Sequence, residues 1–173
     1  MKKYIHRALE KEIISAVKEF PVIVLTGPRQ TGKSTLLKTL FPQHDYLTLD
    51  DPLLRRLAHD DPNLFLSRSP RMIIDEIQYL PELLLFIKIA VDRTRENNGH
   101  FILTGSQYFP LMAGISESLA GRAVLYELLG FSLEEFPLPQ KAMGIESVFA
   151  RIFNGFFPDV IVHGVNRELV RSG

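Results

Sequence analysis

The sequence predicts a three-layer α/β fold with a mostly parallel sheet flanked by helices. A glycine-rich loop at 27–34 stands between a short apolar run and a helical pattern. A second apolar run ends in two adjacent carboxylates at 75–76, and a third ends in the polar stretch 104–106. Apolar runs that end in polar loops and alternate with helical patterns are typical of parallel sheets, which bind ligands beyond the carboxyl ends of their strands.

Composition indicates one globular domain with a substantial core. The chain has 173 residues, of which 46% are hydrophobic, and its 20 Lys and Arg balance its 20 Asp and Glu. Zero net charge argues against a strongly basic nucleic-acid surface. The chain has no cysteine, which excludes disulfides and thiolate metal sites. The longest apolar run, 83–87, is too short to span a membrane, and we expect a cytoplasmic protein.

The first predicted element is an amphipathic helix over residues 4–20 that ends before Pro21. Its apolar positions are four residues apart: Ile5, Leu9, Ile13 and Val17. Arg7 lies in this segment. Because most helical arginines face solvent, the pattern alone favours a surface position for Arg7.

The glycine-rich loop matches the pattern G-x-x-x-x-G-K-[ST] between a predicted strand at 22–25 and a predicted helix from Thr35. Glycines at 27 and 32 allow the backbone amides to wrap a phosphate. Lys33 supplies a flexible cation for the β- and γ-phosphates, and the Ser34 hydroxyl suits Mg²⁺. The alternative is a glycine turn that only precedes a helix.

We therefore predict that ATP and Mg²⁺ bind here, and that nine residues contact the nucleotide. They are Gly27, Pro28, Arg29, Gln30, Thr31, Gly32, Lys33, Ser34 and Thr35.

The acidic pair follows a predicted strand at 71–74. Asp75 would point into the crevice that holds the phosphates and bind the Mg²⁺ shell, and Glu76 would orient and deprotonate the attacking water. The alternative is an acidic start to a helix. Before this pair the pattern predicts a strand at 46–49 and two short helices that begin at Asp51-Pro52 and Asp61-Pro62.

The pattern after the acidic pair predicts a helix from Pro81 to Asn98-Gly99 and a strand at 100–103. The polar stretch 104–106 that follows could touch the γ-phosphate or form an ordinary turn, and spacing favours neither. A short helix at 116–121, a strand at 123–126 and a capping box, Ser132-x-x-Glu135, follow.

Beyond Pro137 the sequence predicts a linker at 137–140, a helix at 147–154 and an N-cap at Asn166. We interpret 1–137 as the core domain and 138–173 as a linker followed by the truncated start of a second domain.

Several stretches resemble prokaryotic AAA-type ATPases whose longer members carry a C-terminal domain of unknown function. The stretches are 27–34, 73–78, 101–106, 119–122 and 130–136. The resemblance implies a P-loop NTPase fold, a Walker A loop at 27–34 and a Walker B pair at Asp75 and Glu76. It also implies a sensor at Ser106 and an arginine finger or sensor arginine at Arg122. The stretch 153–159 resembles the start of that second domain, but the chain then ends, so we expect the second domain to be essentially absent here.

The expected function is Mg²⁺-dependent ATP binding and hydrolysis that drives a conformational change, with Lys33, Glu76, Ser106 and Arg122 as catalytic residues. A nucleotide-binding switch or scaffold with little turnover is an alternative. Glu76 argues against a small-molecule kinase, and the absence of an Asn-Lys-x-Asp stretch argues against a GTPase. A homo-oligomer, a DNA partner and a protein partner all stay open.

Overall fold

The core of the protein is a five-stranded parallel sheet. The structure, a computed structural model, describes residues 4–94, 97–106, 115, 118–132, 134–135 and 158. The strands are β1 Val22–Thr26, β2 Asp45–Thr48, β3 Met72–Asp75, β4 Phe101–Gly105 and β5 Ala123–Glu127. Their order across the sheet is β2-β3-β4-β1-β5. The predicted parallel sheet is confirmed.

Helices cover both faces of the sheet. They are α1 Glu10–Glu19, α2 Lys33–Leu40, α3 Pro52–Asp60, α4 Pro62–Leu66 and α5 Leu83–Arg93, and a 3₁₀ turn spans Ile77–Tyr79. Alternate residues of β1 enter two separate cores. Val22 and Val24 pack with residues of α3, α4 and α5, whereas Ile23 and Leu25 pack with residues of α1 and α2. Two cores, one on each face of the sheet, confirm the three-layer prediction.

Both Asp-Pro pairs start helices as predicted. The Asp51 carboxylate accepts a hydrogen bond from the amide of Leu53 at 2.8 Å, and the Asp61 carboxylate accepts one from Leu64 at 2.9 Å. Proline stands at the first helical position in each case, where its missing N–H is not needed.

The prediction of a helix over 4–20 is wrong for its first six residues, because α1 begins at Glu10. Backbone amides before Glu10 donate to side chains instead of forming a further helical turn. The Arg7 amide donates to Glu10 at 2.7 Å, and the Ala8 amide donates to Glu135 at 2.7 Å. A long-range partner therefore fixes the start of α1.

The predicted end of α5 at Asn98-Gly99 is also wrong, because the helix ends at Arg93. Asn98 and Gly99 instead bind the end of α1. The Asn98 side chain donates to the Lys18 carbonyl at 2.7 Å, and the Gly99 amide donates to the Phe20 carbonyl at 2.8 Å.

The capping box is confirmed: the Ser132 amide donates to the Glu135 carboxylate at 2.8 Å, and the Glu135 amide donates to the Ser132 hydroxyl at 3.2 Å. The helix predicted at 116–121 lies partly outside the described residues. The linker at 137–140, the helix at 147–154 and the N-cap at Asn166 lie wholly outside them, so the domain boundary at 137/138 stays a prediction.

The strand order sets the geometry of the carboxyl edge of the sheet. Strand β4 lies between β1 and β3, with Thr104 paired to Leu25 of β1 and Leu103 paired to Ile74 of β3. The glycine-rich loop and the acidic pair therefore stand on either side of the polar end of β4.

Candidate functional site

The glycine-rich loop follows β1 and has a backbone that excludes most side chains. Gly27 has φ +135° and Gly32 has φ +90°. A Cβ atom at position 27 would lie 2.2 Å from the Leu128 carbonyl oxygen, so only glycine fits beside this backbone. Gln30 also adopts a left-handed conformation, with φ +64°. The loop opens onto α2, whose N-terminus carries the partial positive charge that attracts anions.

Lys33 is the first residue of α2, and its side chain is buried beneath the loop. Its ammonium donates to the carbonyl oxygens of Gly27 and Pro28, both at 2.8 Å. Burial lowers the Lys33 pKa, and the charges of Glu76 and Asp75 partly offset this effect. An ammonium has three donors, so a further acceptor such as a phosphate oxygen suits the site.

A cavity of about 260 Å³ lies between the loop and Glu76. Its lining is Arg29, Gln30, Gly32, Lys33, Ser34, Thr35, Glu76 and Pro158. Six of the nine residues predicted to contact nucleotide line it. Thr31 is buried inside the loop, where its hydroxyl donates to the Pro28 carbonyl at 3.0 Å. Pro158 was not predicted, because it lies far along the chain from the motif.

Asp75 ends β3 and is buried among hydroxyl groups. Its Oδ2 atom accepts from the Ser34 hydroxyl at 3.0 Å and also from the Tyr46 hydroxyl, while Oδ1 accepts from Thr104. Burial, followed by the hydrogen bond to Asp75, raises the Tyr46 pKa. An adjacent hydroxyl and carboxylate are hard oxygen donors of the kind that Mg²⁺ prefers, so Ser34 and Asp75 fit that ion.

Glu76 follows in a strained backbone conformation, with φ +58° and ψ +45°. Left-handed geometry in a residue other than glycine costs about 1–3 kcal/mol and is concentrated at functional sites. Its Oε2 atom contacts the Gln78 amide nitrogen and accepts from the Ser106 hydroxyl at 3.4 Å. The Glu76 amide donates to Thr104 Oγ1 at 3.3 Å. Gln78 and Ser106 therefore hold the second carboxylate at the mouth of the cavity, and Thr104 holds its backbone.

Arg122 lies at the amino end of the strands, opposite the carboxyl ends that carry the loop and the acidic pair. It immediately precedes β5, and its carbonyl accepts from the amide of Val22, the first residue of β1. Its guanidinium binds Asp92 through two hydrogen bonds: Nε donates to Oδ1 at 2.7 Å, and the terminal nitrogen Nη2 donates to Oδ2 at 3.1 Å. The predicted position at the amino end of a parallel strand is confirmed. The arginine-finger role stays a prediction.

Sequence reasoning missed four contributors. Tyr46 and Thr104 bind Asp75, Gln78 binds Glu76, and Arg7 donates to the Thr31 carbonyl of the loop at 2.9 Å. Thr104 and Gln78 stood inside stretches that the sequence singled out, and Tyr46 gave no signal. The surface position that the pattern favoured for Arg7 is wrong, because Arg7 is buried and its guanidinium binds backbone carbonyls. No helix among the described residues is long and apolar enough to cross a membrane.

Comparison with protein families gives a match over residues 19–137 to the model described as an AAA domain. Two curated proteins, uncharacterized protein Rv2008c of Mycobacterium tuberculosis and uncharacterized protein Mb2031c of Mycobacterium bovis, are each 40% identical to the chain over 124 residues. The match covers 69% of this chain and 27% of each relative, so the chain corresponds to about a quarter of their length.

Among solved structures, AMPPCP-bound DnaA from Aquifex aeolicus superposes with a TM-score of 0.59 at 17% identity, over 97% of this chain and 62% of that chain. A Walker-type ATPase of Pyrococcus abyssi gives a TM-score of 0.54 at 20% identity, over 76% of this chain and 55% of that chain. These likenesses agree with the three-layer P-loop NTPase fold. With the family match over more than half of its length, the chain belongs to the AAA-domain family.

Proposed function

We propose that this chain binds Mg-ATP at the glycine-rich loop and hydrolyses it, and that hydrolysis drives a conformational change. The observation that carries the proposal is the contact between the loop and the acidic strand end. Ser34 lies 3.0 Å from Asp75, and Glu76 lines the same cavity as Lys33. Membership of the AAA-domain family supports the choice of ATP.

The loop residues supply binding and orientation. Backbone amides and the amino end of α2 attract the phosphates, and Lys33 supplies a cation whose burial cost an anionic ligand would reduce. Ser34 and Asp75 would hold Mg²⁺, which neutralises charge on the phosphate oxygens when it is bound.

Glu76 would act as the general base. Water attacks the γ-phosphorus, its proton passes to the Glu76 carboxylate, and the bond from the γ-phosphorus to the β-γ bridging oxygen breaks, which yields ADP and phosphate. Gln78 and Ser106 hold the carboxylate in position, and Ser106 would sense the terminal phosphate. The strained backbone at Glu76 is consistent with a residue kept for its chemistry.

The test is phosphate release with ATP and with GTP by wild type and Glu76→Gln. The amide keeps the size of the side chain but cannot accept the proton, so Glu76→Gln should bind Mg-ATP and release no phosphate. Glu19→Gln, an exposed position on α1, is the matched control and should behave as wild type. Equal phosphate release by wild type and Glu76→Gln would contradict the role of Glu76.

Binding is tested separately with Lys33→Ala and a fluorescent ATP analogue. Loss of a charge-assisted contact costs about 1.5–3 kcal/mol, which weakens affinity by about tenfold or more. Tight binding by wild type without phosphate release would instead favour the switch or scaffold alternative. Equal affinity of wild type and Lys33→Ala would reject the phosphate-loop assignment.

A further inference from the structure

Arg7 is a buried arginine that joins the glycine-rich loop to the segment after β5. Only 7% of its surface is exposed. One guanidinium nitrogen donates to the Thr31 carbonyl at 2.9 Å, and another donates to the carbonyls of Leu129 at 2.8 Å and Gly130 at 3.2 Å. We call the described residues 128–132, 134 and 135 the exit segment.

The exit segment also supplies charge and an aromatic face. Arg7 Nε lies 3.2 Å from the Glu135 carboxylate, and the guanidinium carbon lies 4.6 Å from the centre of the Phe131 ring. Burial would raise the Glu135 pKa, but hydrogen bonds from the amides of Ser132 and Ala8, together with Arg7, outweigh it and lower that pKa. The buried cation is therefore paired within the protein.

The backbone that carries Arg7 is fixed on both sides. The Arg7 amide donates to Glu10, which also accepts from the Tyr4 hydroxyl at 2.7 Å, and the Ala8 amide donates to Glu135. Because these carboxylates hold consecutive amides, the guanidinium has a defined direction toward the loop. Residues 4–8 thus lie outside the helix and connect Thr31 of the loop to Glu135 of the exit segment.

A second contact joins the same two parts of the molecule. The Leu128 amide donates to the Thr26 carbonyl at 2.8 Å, and the Leu128 carbonyl packs against Gly27. The exit segment therefore touches the loop at its first residue and, through Arg7, at Thr31. Displacement of the loop must either move the exit segment or break these contacts.

We propose that Arg7 is a positioning residue that couples nucleotide binding in the glycine-rich loop to the conformation of the exit segment. This inference rests on the proposed function. A guanidinium can bond the Thr31 and Leu129 carbonyls together because its donors are spread over several nitrogens in a rigid plane, whereas a lysine ammonium carries its three donors on one atom. Coupling is reciprocal, so contacts that order the exit segment would also tighten nucleotide binding.

The experiment is hydrogen–deuterium exchange of the chain with and without Mg-AMPPCP, a non-hydrolysable ATP analogue. In wild type we expect slower exchange in peptides covering 27–32 and 127–132. In Arg7→Lys we expect the response at 27–32 to remain and the response at 127–132 to disappear, with affinity reduced by about fivefold or more. Arg56→Lys, on the exposed surface of α3, is the matched control and should respond as wild type.

Two results would overturn the coupling. One is nucleotide binding by wild type without any response at 127–132, and the other is an unchanged response there in folded Arg7→Lys. Glu135→Gln is a milder variant for the case in which Arg7→Lys does not fold, and a full wild-type response in Glu135→Gln would also count against the coupling.

Absence of nucleotide binding by wild type would reject the proposed function and, with it, the coupling to nucleotide. Whether Arg7 holds the loop and the exit segment together is then tested by hydrogen–deuterium exchange without ligand. Arg7→Lys should exchange faster than wild type at both 27–32 and 127–132, and equal exchange would show that Arg7 does not hold these segments together.

Discussion

Ser34 and Asp75 meet across the width of β4, with the serine Oγ atom 3.0 Å from the aspartate Oδ2 atom. Tyr46 and Thr104 bind the same carboxylate, so its position is fixed from three sides. The arrangement presents a hydroxyl and a carboxylate together, which is a donor pair suited to Mg²⁺.

Asp75→Asn should weaken the Mg²⁺ dependence of ATP binding, because the amide removes the negative charge of the pair. We expect the Mg²⁺ concentration for half-maximal binding of a fluorescent ATP analogue to rise by about tenfold or more. Asp45→Asn is the control, since Asp45 is exposed at the amino end of β2. An unchanged Mg²⁺ titration would remove Asp75 from the metal site.

Gly27→Ala should destabilise the fold much more than Gly121→Ala. Both glycines have positive φ, +135° and +72°. A Cβ at position 27 would lie 2.2 Å from the Leu128 carbonyl oxygen, whereas a Cβ at position 121 would have no heavy atom of the described residues within 4 Å. Conformational strain alone costs about 1 kcal/mol, and a backbone clash adds to it. Urea unfolding measures the difference, and equal losses would contradict the close packing of Leu128.

Glu76→Gly should abolish phosphate release without lowering stability. Glycine adopts φ +58° without strain, which offsets its larger entropy in the unfolded chain and the lost contacts to Gln78 and Ser106. We expect the free energy of unfolding to stay within about 1 kcal/mol of wild type. A loss well beyond that in urea unfolding would mean that Glu76 is a structural residue.

Acid should destabilise the protein in the range where histidine titrates. Burial lowers the pKa of His44 below 6.5, although the hydrogen bond from His44 to the Gly99 carbonyl at 3.0 Å acts in the opposite direction. Burial also lowers the pKa of His100. The unfolded chain therefore binds protons first, and stability falls as pH drops below 6.5 toward the folded-state pKa values.

The slope cannot exceed about 1.4 kcal/mol per pH unit for each histidine. Urea unfolding at about pH 7.5 and about pH 5.5 measures the loss. His44→Gln should show a smaller loss than wild type, because the glutamine amide can still donate to Gly99 but does not titrate. An identical loss in His44→Gln would assign the pH dependence to other groups.

Arg122 gives a prediction about assembly. Its position at the amino end of β5 is far from the loop of the same chain, so an arginine finger would have to act on a neighbouring subunit. Arg122→Ala and Glu76→Gln should each be inactive alone and should partly restore activity when mixed. Full activity of Arg122→Ala, or no rescue in verified mixed oligomers, would leave Arg122 as the local partner of Asp92.

The sequence predicted the sheet and the loop because those signals are local. The strand at 22–25, the glycines at 27 and 32 and the carboxylates at 75–76 each follow from neighbouring residues. Tyr46 was missed because its hydroxyl reaches a carboxylate on the adjacent strand β3, and Arg7 because its partners lie 24, 122 and 123 residues away. Glu135 is another distant partner, 127 residues from Ala8, and it binds the Ala8 amide just before the start of α1.

Because β4 lies between β1 and β3, backbone geometry sets the distance between the two strands that carry the site. Two strand spacings amount to about 9.5 Å, and the hydrogen bonds between the strands set that width rather than the side chains on either face. Core residues can therefore change during evolution while β1 and β3, which carry the loop and the acidic pair, stay the same distance apart. A chain that shares 17% of its residues with DnaA from Aquifex aeolicus can keep the same fold in this way, with a TM-score of 0.59.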